Sequence, residues 1–189
     1  NIITQLNGAI TATGITKFGP GDMLVGGDNR GTLTGDVVVS GYNWFRLNNQ
    51  YVLGGSTTNP YASGNRLILN GAQIYSNTSL YYRSELVLNA DSNVGGNSTI
   101  YDLLTINGYA GNAFATPTVY RATNNGPVFF NGLALNTDVS FVAETATNSV
   151  INILGAVTGT GGIQKWGLGS LQFTGHSSSY AQPITVYQG

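Results

Sequence analysis

Apolar residues along this 189-residue chain come in short bursts of period two, each closed by Asn, Gly or Asp. Leu67-Ile68-Leu69-Asn70-Gly71 is one, and Leu86-Val87-Leu88-Asn89 follows at an offset of 19 (86 − 67). Leu104-Thr105-Ile106-Asn107-Gly108 comes at a further offset of 18 (104 − 86), and Leu133-Ala134-Leu135-Asn136 repeats the form. In each burst the first and third side chains share one face of an extended strand. The Asn and Gly that follow supply the backbone conformations of a tight corner. No long stretch carries helical periodicity. The pattern predicts an all-β chain.

Bursts that recur at offsets of about 18 to 20 with the same corner chemistry are the mark of a solenoid. Each coil of such a fold lies ~4.8 Å above the last, the spacing of paired strands. Like residues then stack on like: aliphatic columns fill the core, and Asn columns hold the corners. About nine coils fit the length, a rod on the order of 40 Å tall. The expected fold is therefore a parallel β-helix. A β-sandwich is the alternative, since turn signals at a spacing of roughly 8 to 12 also suit a sandwich. An outer-membrane barrel fits less well, because it wants strands of roughly 9–11 residues and aromatic girdles.

A longer repeat links the two chain ends. Gly14-Ile15-Thr16-Lys17-Phe18-Gly19-Pro20-Gly21-Asp22-Met23-Leu24-Val25 aligns with Gly162-Ile163-Gln164-Lys165-Trp166-Gly167-Leu168-Gly169-Ser170-Leu171-Gln172-Phe173, at an offset of 148 (163 − 15). The match extends back through Ile3–Leu6 against Val150–Ile153, and forward through Val37–Val39 against Ile184–Val186. The expected organisation is one domain over 1–189, with repeat modules at 1–42 and 148–189 and an aromatic insertion at 43–66. The module resembles the autotransporter-associated β-strand repeat, also called the passenger-associated transport repeat. That family's pattern is roughly Gly-x-Leu-x-Lys-x-Gly-x-Gly-x-Leu-x-Leu-x-Gly, then a Tyr-containing turn and a Thr-x-Val strand. Gly162, Ile163, Lys165, Gly167, Gly169, Leu171, Phe173 and Gly175 occupy those places, followed by Tyr180 and Thr185-Val186. The resemblance implies a right-handed parallel β-helix on a bacterial surface. Within each module the glycines bracket a tight turn. Lys17 and Lys165 are expected to point outward from Ile15 and Ile163, with Phe18 and Trp166 beside them.

Composition narrows the function. Charged residues are only 8%, Gly is 27 of 189 and the net charge is −1. An average domain carries about 25% charged residues and about 7% Gly. The chain offers no basic field for phosphates, so nucleic acid is not an expected partner. There is no Cys, hence no disulfide framework or thiol chemistry. No apolar run nears the roughly 18 residues of a spanning helix, and no membrane insertion of this segment is expected. The first residue is Asn1 and no signal peptide is visible, so the chain reads as a mature or excised piece whose targeting signal lies elsewhere. The resemblance implies an extracellular or bacterial-surface location.

Candidate chemistry is sparse. His176 is the single histidine, in a turn, and no Gly-x-Ser-x-Gly elbow accompanies it. Asp91 to Asp102 echoes a calcium loop, but Gly95 replaces a ligand and the final residue is Asp rather than Glu. The eight carboxylates form no close pair along one strand, although stacking could bring Glu85 near Asp102; a glycosidase needs two carboxyls about 5 to 10 Å apart. No metal, no cofactor and no enzymatic activity is expected. What stands out is the aromatic stretch Tyr42, Trp44, Phe45, Arg46, Tyr51 and Tyr61, residue types that anchor interfaces. The expected function is a surface scaffold, self-associating through its solenoid ends into a filament. The alternative is an adhesin that binds host or matrix glycans through the aromatic stretch, with a polysaccharide-active β-helix enzyme third.

Overall fold

The structure is a computed structural model that describes every residue except 1–2, 42–43, 60–63, 78, 110–115, 122–125, 146–148 and 177–178. Tyr42 and Tyr61 therefore lie outside the described residues. So do parts of both modules.

Among the described residues nine strands form one sheet, face A, in this order: β1 (Ile3–Leu6), β3 (Asp22–Val25), β5 (Trp44–Leu47), β7 (Gln73–Ser76), β9 (Ser92–Gly96), β11 (Thr118–Arg121), β14 (Val139–Ala143), β17 (Ile163–Trp166) and β19 (Ile184–Val186). A second sheet bends around a corner into two further faces. Face B stacks the leading halves of β8 (Leu80–Leu88) and β10 (Thr99–Ile106) with β12 (Val128–Phe130), β15 (Val150–Ile153) and β18 (Ser170–Phe173). Face C stacks β2 (Ile15–Lys17), β4 (Val37–Ser40), β6 (Leu67–Asn70), the trailing halves of β8 and β10, β13 (Leu133–Leu135) and β16 (Val157–Gly159). The bend in β10 falls where its register with β8 shifts, between Tyr101 and Leu103. Each of these strand pairs is parallel and joins one coil to the next, which excludes the antiparallel sandwich. The chain is a parallel β-solenoid.

The bursts read from sequence stack in register. Val37, Leu67, Leu86, Leu104, Leu133 and Val157 form one column on face C, and all are buried. On face B the column is aromatic: Tyr82 stacks on Tyr101 at 5.4 Å between centroids, and Tyr101 on Phe130 at 5.8 Å. Asparagines form the corner ladder. Asn136 donates to Asn107, Asn107 to Asn89, and Asn89 to Asn70, at 2.8 to 3.0 Å. Each rung satisfies the next without placing like charges one above another.

Among the described residues seven coils carry strands on both face A and face C, and β17 with β18 and β19 belong to incomplete ones. The solenoid thus makes about seven full turns where nine were expected. Several coils are longer than the sequence offsets of 18 and 19 suggest. Phe45 pairs with Ile74, an offset of 29 (74 − 45), and Ser92 with Val119, an offset of 27 (119 − 92). The extra length leaves the coil path after β5 and after β10.

Two local expectations are corrected. Trp44–Leu47 is not part of an insertion; it is a regular strand of face A, in register with Met23–Val25 below and Gln73–Ser76 above. The departure from the coil path begins after β5 and ends before β6. The two modules, moreover, stand one face out of step. Ile15 lies on face C and Ile163 on face A, and Ile3–Leu6 on face A matches Val150–Ile153 on face B. The offset of 148 is not a whole number of coils, because coil length varies: Leu86 to Leu104 is an offset of 18, whereas Val37 to Leu67 is one of 30 (67 − 37).

Candidate functional site

Two surfaces stand apart from the regular coils: the C-terminal end of the rod and a cleft on its flank. At the end, the core columns run out into solvent. Ile163 is 1% exposed, whereas Ile184, its partner one coil later, is 49% exposed. Lys165 is 5% exposed and its partner Val186 is 62% exposed. On face B, Ile153 is fully buried while Phe173 above it is exposed. Strands β18 and β19 are terminal in their sheets among the described strands, so each presents an outer edge. Trp166 and Tyr187 stack at 4.0 Å and 12° on this end, beside exposed Leu168. The opposite end carries β1, also terminal on face A, with Ile3 exposed.

The module residues divide in the opposite sense to the expectation. Lys17 and Lys165 are buried, and Phe18 and Trp166 are exposed. Alternate positions on a strand share a face, so each lysine follows its isoleucine inward. The Lys165 ammonium donates to the carbonyls of Trp166, Gly167 and Gln188 at 2.5 to 3.0 Å, and burial lowers its pKa. Lys17 donates to the Gly19 carbonyl at 2.8 Å. Each lysine thus ties down the turn between its module's two strands, at Gly19–Gly21 and Gly167–Gly169. Those turns need glycine for conformational reasons: Gly19, Gly21 and Gly167 have φ of 80°, 117° and 79°.

The aromatic stretch is split by the fold. Phe45 faces the core and offers no surface. Trp44 is half-buried and meets Tyr75 edge-on at 5.6 Å. Arg46 bonds Asp22 at 2.9 Å, joining adjacent coils. Tyr51 belongs instead to the flank cleft, of about 190 Å³, where the Arg30 guanidinium lies 3.7 Å above its ring. Arg83 lies 4.4 Å from the Tyr81 ring on the cleft's far side. The grouping of Tyr51 with Arg30 and Arg83 is not legible along the chain, because these residues sit on three successive coils.

The carboxylates knit coils together. Asp36 pairs with Arg66 at 2.6 Å, and this guanidinium holds its carboxyl below the usual range. Glu85 accepts from the Thr105 hydroxyl, and Asp102 from the Tyr81 hydroxyl at 2.7 Å. Asp91 accepts from the Thr118 amide at 2.7 Å, at the start of β11. Among the described residues no three His, Cys, Asp or Glu side chains gather as a metal site. His176 is exposed in its turn. No helix among them is long and apolar enough to cross a membrane.

One buried charge gives no signal in the sequence. Arg121 points inward from the same strand face as Val119 and has no exposed surface. It donates to the carbonyls of Val94, Gly96 and Gly126. Burial lowers its pKa to about 10, which leaves it charged at neutral pH.

Compared with known proteins, the chain matches no family model, no curated protein and no solved structure.

Proposed function

We propose that the chain is a non-enzymatic structural scaffold that lengthens end to end, the last coil of one copy receiving the first coil of the next. The observation that carries this reading is the open core at β18 and β19, where Ile184, Val186 and Phe173 continue buried columns into solvent. The apolar side chains uncovered on this coil are the kind of surface on which a further coil stacks in a solenoid. Unpaired strand edges invite strand addition. The first described strand, β1, and the last, β19, both lie on face A, so a second copy stacked on the first continues the same sheet. Such a heterologous contact does not close on itself and gives a filament. The match between the two modules does not enter this geometry, because they stand one face apart. Their resemblance to passenger-associated repeats supports an extracellular or bacterial-surface setting. The use of Asp22, Asp36, Glu85 and Asp102 as ties between coils supports a structural role over polysaccharide cleavage.

Sedimentation velocity and negative-stain microscopy over a rising concentration series test the assembly. The expected result is a growing distribution of rods of constant width. The double substitution Ile184→Lys and Val186→Lys is expected to leave the far-ultraviolet dichroism unchanged, since both side chains are exposed, and to hold the protein as single rods. A native chain that stays monomeric at the highest concentration sinks the reading, as does a double variant that assembles like the native chain.

A further inference from the structure

We propose that the flank cleft between Arg30, Tyr51, Tyr81 and Arg83 is a binding site for an acidic oligosaccharide, one bearing carboxylate or sulfate groups. This goes beyond end-to-end assembly and needs no second copy, because the cleft lies on the side of the rod.

The cleft spans three coils. Arg30 comes from one, Tyr51 from the excursion of the next, and Tyr81 and Arg83 from β8 above it. Gly31 donates to the Gly55 carbonyl at 2.9 Å and Gly64 donates to that of Arg83, so the excursion is fastened to the coils on both sides. Gly54, Gly55 and Gly64 line the cleft, and the absence of a side chain lets Gly54 pack against the Leu33 carbonyl and Gly64 against Ser84.

Both cations are held in place before any ligand arrives. The Arg30 guanidinium is fixed on its face by Tyr51 and on one edge by Asp28, which accepts from Nε and Nη2. Of its five N–H donors that leaves three available. Arg83 rests against the Tyr81 ring, and the Tyr81 hydroxyl is itself anchored by Asp102 and Asn131 at 2.7 Å. Stacked, pre-oriented guanidinium groups lose little freedom on binding and match the planar oxygens of carboxylate and the tetrahedral oxygens of sulfate.

Spacing chooses the ligand. Arg30 and Arg83 are two rungs apart, roughly 10 Å at the rise of paired strands, and each is pinned to its own tyrosine. One small inorganic anion does not bridge that span, but acid groups on a chain of sugar rings do. The volume of about 190 Å³ lies below the roughly 300–1,000 Å³ of a drug-sized pocket, so one ring enters and its neighbours lie along the flank. Gln50, exposed where it lines the cleft, carries a side-chain amide that both donates and accepts hydrogen bonds, as sugar hydroxyls require.

Calorimetric titration of the chain with tetragalacturonate, a chondroitin sulfate tetrasaccharide, maltotetraose and sodium sulfate is the test. The Ile184→Lys/Val186→Lys background keeps assembly out of the readout. The expected result is saturable binding of at least one acidic tetrasaccharide, weakened several-fold by added salt, with maltotetraose silent. Arg30→Gln and Arg83→Gln are each expected to weaken it at least fivefold. Four outcomes overturn the proposal: no binding of either acidic sugar at millimolar concentration, equal binding of maltotetraose, equal binding of free sulfate, or affinities unchanged in both variants.

Discussion

Gly155→Ala is expected to destabilise the solenoid by about 4 kcal/mol, the upper end of single-substitution effects, or to prevent soluble folding. A Cβ at Gly155 would overlap the Asn131 carbonyl oxygen in the coil below. The obstacle is backbone, so no side chain can swing away, and the corner would have to open through the whole stack. The same close approach recurs one coil apart at Gly35 over Thr13, Gly161 over Thr137 and Gly175 over Gly155. Gly19→Ala is the informative partner. Gly19 has φ of 80° but nothing within 4 Å of an added methyl group, so it costs only the left-handed backbone penalty of about 1–2 kcal/mol. Guanidinium chloride unfolding of the two variants separates the effects; equal losses would refute the coil-contact explanation for the glycines.

Arg121→Met is expected to cost about 3 kcal/mol in the same assay at pH 7, mainly from carbonyls left without donors. Removing a buried charge relieves a desolvation penalty, and well-packed apolar replacements of buried ion pairs are often neutral. Arg121 differs in its partners, since they are the backbone carbonyls of Val94, Gly96 and Gly126 and remain after the substitution. Gly96 keeps the Gly126 amide as a donor at 3.1 Å, so the loss falls on the carbonyls of Val94 and Gly126. Each buried carbonyl left without a donor costs about 1–3 kcal/mol, and together they outweigh the relief. Arg121→Lys keeps the charge but not the fork, and is expected to lose less than Arg121→Met. A stabilised Arg121→Met variant would show that the guanidinium's burial, rather than its hydrogen bonds, dominates.

The period-two bursts are the most legible feature. Leu67, Leu86, Leu104 and Leu133 fall into one buried column because strand parity and a nearly regular coil length together set their register. The asparagine corners are legible for the same reason. The number of coils is less so, since the sequence separation between β5 and β6 and between β10 and β11 is longer than elsewhere while the strands on either side keep their register. Parity with Ile15 and Ile163 puts Lys17 and Lys165 inside, against the outward position that their charge suggests. A charged residue at an inward position is readable only once the nearby turn carbonyls that receive it are known. Phe45 and Trp44 look alike as neighbours in an aromatic run, and strand alternation sends one to the core and the other toward the surface.

By itself the sequence determined that this chain stacks. Low charge and a recurring burst closed by Asn or Gly admit parallel coils, because neutral side chains repeat every ~4.8 Å without the repulsion that like charges directly opposite one another would bring. Glycine at 27 of 189 positions is visible as an excess, and a turn requirement is enough to explain it at that level. The folded stack alone reveals that many of these glycines mark backbone resting on backbone, that Phe173, Ile184 and Val186 lie uncovered at β18 and β19, and that Arg30, Tyr51 and Arg83 meet in one cleft. Strand parity is a local property that each burst carries within itself. Contacts between coils depend on the summed length of every intervening turn, and that sum is fixed only when the whole stack has formed.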